Sequence, residues 1–419
     1  MNVLLATCSI EEGAREKAVQ LNSHYPIGLA SLHAYLESQG HNVHTLFLND
    51  FPESICLDVI QRDLPGCDVL GLQILSHNRT CSYKAIERFS GQVRVIVGGI
   101  HASVMHEQIV RKYPGVIVVI GEGELTLAEL LSGKPPNEVD GVAFVKNGEF
   151  VRTPDRVLIE DLDALPFPKH EAFWNDRRTV ASVMTSRGCP FKCSFCALDT
   201  LSRRRVRFRS VENVVGELLH LKRTYPRITG VWIHDDSFFL DNERAIALCD
   251  RIERENLGLR FICSGRFKPL SERLVRAMER ARFTWVLFGL ESGCQRVLDR
   301  NHKALKLFDA TKALQLLSDS PIQCTSFLIV GLPGEDEDSV ADTCDFVNHL
   351  QRIKPMHYDD IGVAMVYPNT ELYSLMKQAG KITDDYWMTD GPVPFYTVEH
   401  DIDTLNGYKG KILSRIRTA

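Results

Sequence analysis

A chain of 419 residues, 44% hydrophobic and 25% charged, is long enough to bury two separate cores and has the composition of an ordinary globular protein. Its formal charge of −5 argues against a general binder of nucleic acids or anionic membrane surfaces. No apolar run reaches bilayer-spanning length, and the opening stretch MNVLLATCSIEEGAREK lacks a basic leader, so it reads as the buried first strand of a cytoplasmic protein and not as a secretory signal.

Short Val, Ile and Leu runs predict strands at Asn2–Thr7, Asn42–Leu48, Val69–Ile74, Val93–Val97 and Val116–Ile120. Amphipathic stretches lie between them, such as Ile27–Gln39, with Leu29, Leu32 and Leu36 on one face and Gly40 as a stop. This alternation predicts a parallel, doubly wound, Rossmann-like domain over residues 1–135, with its ligand site beyond the carboxyl ends of the strands. GVAFVKNGEFVRT then sets two alternating runs around Asn147-Gly148, a two-residue hairpin. The acidic stretch Leu158–Arg178, with Pro166 and Pro168, predicts a linker, so residues 136–175 are a hairpin and linker.

A second series of strands is predicted at Val180–Thr185, Gly230–Ile233, Leu259–Cys263, Thr284–Gly289, Gln323–Val330 and Ile361–Val366, with intervening helices such as Val211–Lys222. Six βα units are too few for a closed eight-stranded barrel. They predict an open, partial (β/α)6 barrel over residues 176–370 with its active site at the strand C-termini, and a C-terminal extension, 371–419, that covers one end.

The chain has twelve cysteines, and reducing conditions in the cytosol argue against a disulfide framework. Nine are scattered: Cys8, Cys56, Cys67, Cys81, Cys249, Cys263, Cys294, Cys324 and Cys344 read as small buried apolar residues. Cys189, Cys193 and Cys196 stand apart in TSRGCPFKCSFCALD, directly after a predicted strand, with the spacing C-x₃-C-x₂-C. Thiolates are the usual ligands of iron–sulfur clusters. Three of them on a four-iron cubane leave one iron for the amino and carboxylate groups of a methionine, and Gly188 and Pro190 suit the tight loop this needs. Zinc is the bland alternative, but no second C-x₂-C-like pair is present.

The loop resembles the cluster loop of the radical S-adenosylmethionine (SAM) superfamily, and later segments resemble, in order, the strand ends of its cobalamin-binding branch. The resemblance implies SAM contacts from Phe195 in the loop, from Asp235 and Asp236 in GVWIHDDSFFLDN, and from Ser264 and Arg266 in FICSGRF. It implies the same for Glu291 and Ser292 in FGLESGCQRVLDRNHK and for Gly331 and Pro333 in IVGLPGEDEDS, where Gly334 also lets backbone approach the ligand. VYPNTELY resembles the sixth strand end, with Asn369 where many relatives carry glycine.

PIGLASLHAYLESQGH, VIVGGIHAS and IGEGELTLAELL resemble the cobalamin domain of the same branch. This implies cobalamin contacts from Gly98, Gly99, His101, Gly121, Glu122 and Gly123, and from Ser76, His77 and Asn78 beneath the corrin. No D-x-H-x-x-G segment is present to place a histidine on cobalt, and His77 in its loop is more simply a solvated residue. The run Leu201–Arg209 reads as a solvated face or an anchor for anionic substrate groups, not as an RNA site.

The resemblance implies an enzyme that reductively cleaves SAM at a [4Fe–4S] cluster and, with cobalamin, methylates an unactivated carbon of a small-molecule substrate, drawing electrons from a flavodoxin or ferredoxin. Nucleic acid and membrane are not expected as partners. Cobalamin-dependent cyclisation or rearrangement, a radical SAM enzyme without cobalamin, and a non-catalytic iron–sulfur sensor or electron carrier are the alternatives.

Overall fold

Apolar runs too short for helices become the central strands of two sheets. The computed structural model describes residues 1–10, 25–175, 177–358 and 361–416. It divides into two units: Met1–Arg178 with Thr200–Arg203 and Ile382–Val393, and Thr179–Asp199 with Arg204–Lys381 and Pro394–Ala419.

In the first unit, strands β1 (Asn2–Thr7), β2 (Asn42–Leu46), β3 (Val69–Gln73), β4 (Arg94–Gly98), β5 (Ile117–Val119), β6 (Val142–Lys146) and β7 (Glu149–Arg152) form one sheet in the order β2-β1-β3-β4-β5-β6-β7. The first five are parallel, and all but the first residue of β1 are buried, as expected of a strand covered on both faces. Asn147 and Gly148 take φ of 54° and 83°, which the hairpin's tight turn requires. The hairpin does not stand apart from the first domain: β6 pairs antiparallel with β5, Val119 opposite Val142, and extends the sheet.

The stretch expected to be a linker is packed. Leu158, Leu162, His170 and Phe173 are buried, Phe173 stacks on Tyr25 at 5.2 Å, and the Tyr25 hydroxyl meets the His170 ring. Its apolar residues are anchored singly through two 3₁₀ turns and so carry no sequence period. Ile382–Val393 also belongs to this unit, which corrects the expectation that all of 371–419 covers the barrel. The fully buried Trp387 holds it, edge-on to His101 at 5.5 Å and beneath the Arg79 guanidinium at 5.2 Å.

In the second unit, β8 (Val180–Val183) runs on to a two-residue strand β9 (Ser186–Arg187), which pairs antiparallel with β10 (Arg207–Phe208). Strands β11 (Gly230–Ile233), β12 (Arg260–Gly265), β13 (Phe283–Glu291), β14 (Gln323–Val330) and β15 (Ile361–Val363) complete a six-stranded sheet in the order β15-β14-β13-β12-β11-β8. Every pairing in it is parallel, which makes it the open (β/α)6 partial barrel. Helices such as Val211–Thr224 and Glu337–Ile353 alternate with the strands. Phe267 and Phe288 stack at 4.3 Å in its core. Asn369 takes φ of 63°, the left-handed conformation that asparagine tolerates best after glycine, so its turn forms without glycine. The basic run is not wholly solvated: Arg207 and Arg209 turn inward, and Arg209 pairs with the fully buried Glu217.

No helix among the described residues is long and apolar enough to cross a membrane. Phe288→Ala is expected to cost the barrel unit about 3–5 kcal/mol, the usual penalty for emptying a buried aromatic site. A lower urea midpoint for that unit, followed by tryptophan fluorescence, checks it.

Candidate functional site

The loop that carries Cys189, Cys193 and Cys196 leaves the barrel at β9 and returns at β10, so the short antiparallel pair clamps its base. Its first turn is held by the residues that follow β11. Asp235 is buried and accepts hydrogen bonds from the backbone N–H and hydroxyl of Thr185, at 2.6 and 2.5 Å, and from those of Ser186, at 3.0 and 2.8 Å. The N–H of Gly188, at φ of 101°, donates to Asp236 at 2.9 Å. Both carboxylates therefore hold the loop.

The middle of the loop is fixed through Ser194. Its N–H and hydroxyl donate to the backbone and side-chain oxygens of Asn301, at 3.1 and 2.6 Å, while its carbonyl accepts from Glu371 N–H at 3.0 Å. Asn301 is fully buried and its amide donates on to the Pro333 carbonyl at 2.9 Å, so one side chain joins the loop to the turn after β14. Arg266, after β12, lies flat on Phe191 at 3.9 Å, with Nη1 3.8 Å from the Cys193 sulfur. Its Nη2 is buried without a partner.

The other strand ends are committed to their own framework. Glu291, at φ of 68°, ends β13 in a buried ion pair with Lys303 at 2.6 Å, and Lys303 lies 5.8 Å over the Phe195 ring. A Cβ at Gly289 would sit 2.4 Å from the Glu291 carboxylate, so glycine there makes the pair possible. Ser292 is buried, accepts from Cys294 N–H at 3.1 Å and contacts the Thr343 hydroxyl. Gly331, at φ of 86°, donates its N–H to the Glu335 carboxylate. Ser264 is half-buried on β12. Lys303 and Asn301 escaped the sequence reading, although both lie in the quoted segment DRNHK, the polar run that follows a buried helical turn.

Electrostatics mark a recess. Asp236 and Cys196 are accessible to water, yet crowding by protein atoms pushes Asp236 up to about 6, aided by the charge on Asp235, and Cys196 up to about 11. Burial likewise raises the half-buried Cys189 thiol. Burial also pushes Glu335 up to about 7, partly opposed by the Gly331 N–H.

In the first unit, the loops after β3, β4 and β5 lie at the carboxyl edge of the sheet. Asn78 is fully buried and folds back on its own loop, accepting from Leu75 N–H at 2.7 Å and donating to the Gln73 carbonyl at 3.1 Å. His101 is buried between Ser76 and Tyr83, each 3.0 Å from one ring nitrogen, and burial pulls its pKa down to about 3, so it stays neutral. Both nitrogens are occupied within the unit, so His101 supports the β3 loop and keeps neither nitrogen for a ligand. His77 is half-buried. Gly98 ends β4, and a Cβ at Gly99 would lie 2.7 Å from the Ile74 carbonyl, so the β3 and β4 loops pack only around glycine. Gly121, at φ of 82°, donates to the Ser103 hydroxyl at 3.0 Å and leaves open space where a side chain would project. Glu122 accepts from Ile159 N–H at 2.9 Å, and Gly123 packs on Leu32.

Comparison with known proteins separates the same two parts. Residues 183–347 match the model of the radical SAM superfamily and residues 18–131 that of the B12 binding domain. The chain is 30% identical over 363 residues to an uncharacterized methyltransferase, PH0819, of Pyrococcus horikoshii, covering 83% of this chain and 77% of that one. The chain belongs to the radical SAM superfamily, in the branch with a B12-binding domain. Its cofactors are a [4Fe–4S] cluster, SAM and cobalamin.

It is also 26% identical to the anaerobic magnesium-protoporphyrin IX monomethyl ester cyclase of Rubrivivax gelatinosus, covering 76% of this chain and 61% of that one. Its fold is that of the radical SAM methyltransferase TsrM of Kitasatospora setae, solved with cobalamin and a [4Fe–4S] cluster, at a TM-score of 0.73 and 19% identity over 95% of this chain and 79% of that one.

The residues fit these groups. A tetrahedral zinc, with Zn–S of about 2.3 Å, would draw its sulfurs to roughly 3.8 Å from one another. Among the described residues, the only metal-ligand trio mutually within 4.8 Å is Cys8, Cys56 and Cys81, so the three loop thiols stand further apart, as a cubane requires. The unpaired Nη2 of Arg266 beside Cys193 suits an anion, and the bare backbone at Gly121 suits close approach of a large flat ligand.

Two outcomes follow. Lys303→Met alone is expected to cost about 3–5 kcal/mol by stranding a buried carboxylate, while adding Glu291→Leu recovers most of it; urea unfolding of the single and double variants checks this. Glu335, raised in the folded state, contributes stability that is present below the ordinary glutamate pKa and lost as pH rises through about 7. Glu335→Gln is therefore expected to flatten the decline in unfolding midpoint between pH 5 and pH 8.

Proposed function

We propose that the protein methylates an unactivated carbon of a small-molecule substrate. The observation that carries this is a C-x₃-C-x₂-C loop pinned at its first turn by Asp235 and Asp236 and at its middle by Asn301, opening beside the unpaired guanidinium nitrogen of Arg266. When bound, the cluster supplies the electron that cleaves SAM, and cobalamin supplies the methyl group. Cys189, Cys193 and Cys196 would hold the cluster, with one iron left for SAM. Arg266 places its unpaired N–H groups toward that carboxylate, and stacking on Phe191 fixes the direction in which they point. Ser264 on β12 and the backbone around Gly331 and Pro333 line the same end of the barrel. Asp235, Asp236, Glu291 and Ser292 are positioning residues: Asp235 and Ser292 are taken up by the protein framework, and Asp236 and Glu291 each commit one carboxylate oxygen to it.

In the first unit, the Gly121–Gly123 backbone and the half-buried His77 would receive the corrin, while Asn78, Gly98, Gly99 and His101 hold those loops in shape. A low-potential carrier, flavodoxin or ferredoxin, delivers the electron. No residue is assigned as a proton shuttle, because the cofactors carry the chemistry and the protein contributes binding and orientation.

Anaerobically reconstituted protein, given hydroxocobalamin, SAM and a strong reductant, is expected to hold four irons and to release 5′-deoxyadenosine, with S-adenosylhomocysteine appearing when an acceptor is supplied. Cys193→Ala is expected to lose the cluster and all SAM cleavage. 5′-Deoxyadenosine and cobalamin-dependent product without S-adenosylhomocysteine would mark cyclisation or rearrangement, and a protein without iron and sulfide would overturn the reading altogether.

A further inference from the structure

Three of the scattered cysteines converge. Cys8 immediately follows β1, Cys56 lies in the helix Glu53–Asp63 and Cys81 in the first turn of the helix Arg79–Phe89. All three are buried, and their sulfurs lie within 4.8 Å of one another. Mutual influence among the three thiols pulls the Cys56 thiol down and pushes the Cys8 thiol up, as expected of sulfurs in close contact. Sulfurs brought together from three separate elements are a different arrangement from thiols that merely fill space: a core needs apolar volume at each position, not three sulfurs in mutual contact.

We propose that Cys8, Cys56 and Cys81 form a second metal site, a three-thiolate pocket for a soft monovalent ion of the copper(I) type. An ion about 2.3 Å from each sulfur in a plane needs S···S edges of about 4 Å, a contraction of less than about 1 Å from the spacing present. Among the described residues no fourth histidine, cysteine or carboxylate atom joins the trio. That speaks against structural zinc, which takes four ligands, and for copper(I), which soft thiolates select. Each thiol that binds the ion gives up its proton to solvent, so uptake is tighter at higher pH. The site belongs wholly to the first unit and is independent of the iron–sulfur loop.

The test is an anaerobic titration of the full-length chain with copper(I) against a bicinchoninate competitor, with Cys56→Ser, Cys81→Ser and, as a control outside the trio, Cys67→Ser in parallel. The wild type and Cys67→Ser are expected to hold one copper more per chain than either trio variant, with at least a 100-fold loss of affinity at that site in the variants. Loss of even an outer-shell partner costs about 10–100-fold. X-ray absorption on the loaded wild type should give three sulfurs per copper for that equivalent. If Cys56→Ser does not fold, Cys81→Ser carries the comparison. Equal copper content in the wild type and a folded trio variant, or no copper retained against the chelator, would show that the three thiols are packing residues and overturn the proposal.

Discussion

Four hydrogen bonds converge on the buried carboxylate of Asp235, and the barrel unit's chemistry is built out from that point. Burying a carboxylate is costly unless its oxygens are satisfied, and here the end of β8 satisfies them completely. The strand end thereby becomes a fixed post from which the cysteine loop departs. Ser194, held by Asn301 and by the first residue of the helix Glu371–Gln378, gives a second post between the second and third thiols. With both in place, little chain entropy remains to be lost when the thiols take up a ligand.

The fold was largely readable because strand spacing is a local signal. A parallel strand covered on both faces is a short run of branched apolar residues, and the β1, β11 and β14 segments show this plainly. The cysteine loop was readable for the same reason, its three ligands lying within eight residues. What stayed hidden depends on contacts between distant positions. Asn301 meets Ser194 across 107 residues, and Arg79 reaches the Gly391 carbonyl across 312. Nothing local marks Ile382–Val393 as part of the first unit; it is held by the buried Trp387 and by the Gly391 and Met388 carbonyls, which accept from Arg79 and Lys112. Asp236 and Glu291 lie near the strand ends where the sequence places them, but nothing local shows that Gly188 bonds the one and Lys303 pairs with the other.

The first unit solves a related problem with neutral groups. His101, kept uncharged by burial, bridges Ser76 and Tyr83, while Arg79 is held by the Ser76 carbonyl at 2.8 Å and lies over Trp387. A buried guanidinium and a buried imidazole can coexist there because only one carries charge. The loops after β3 and β4 are thus stiffened from beneath, leaving Gly121, after β5, as a bare point of that edge.

The barrel strands carry a further restriction. A methyl group added at Gly265 would strike the Phe239 ring at 2.4 Å, one at Gly289 the Glu291 carboxylate at 2.4 Å, and one at Gly293 the backbone of Thr343 at 2.6 Å. At Gly265 and Gly293 the obstacle is a buried ring and backbone, so directed evolution of this scaffold toward new acceptors would find those two codons closed, whereas at Gly289 the Glu291 and Lys303 side-chain ends must swing aside and give up their ion pair. Useful variation is left to the side chains that border the recess, a much smaller design space than the length of the chain suggests.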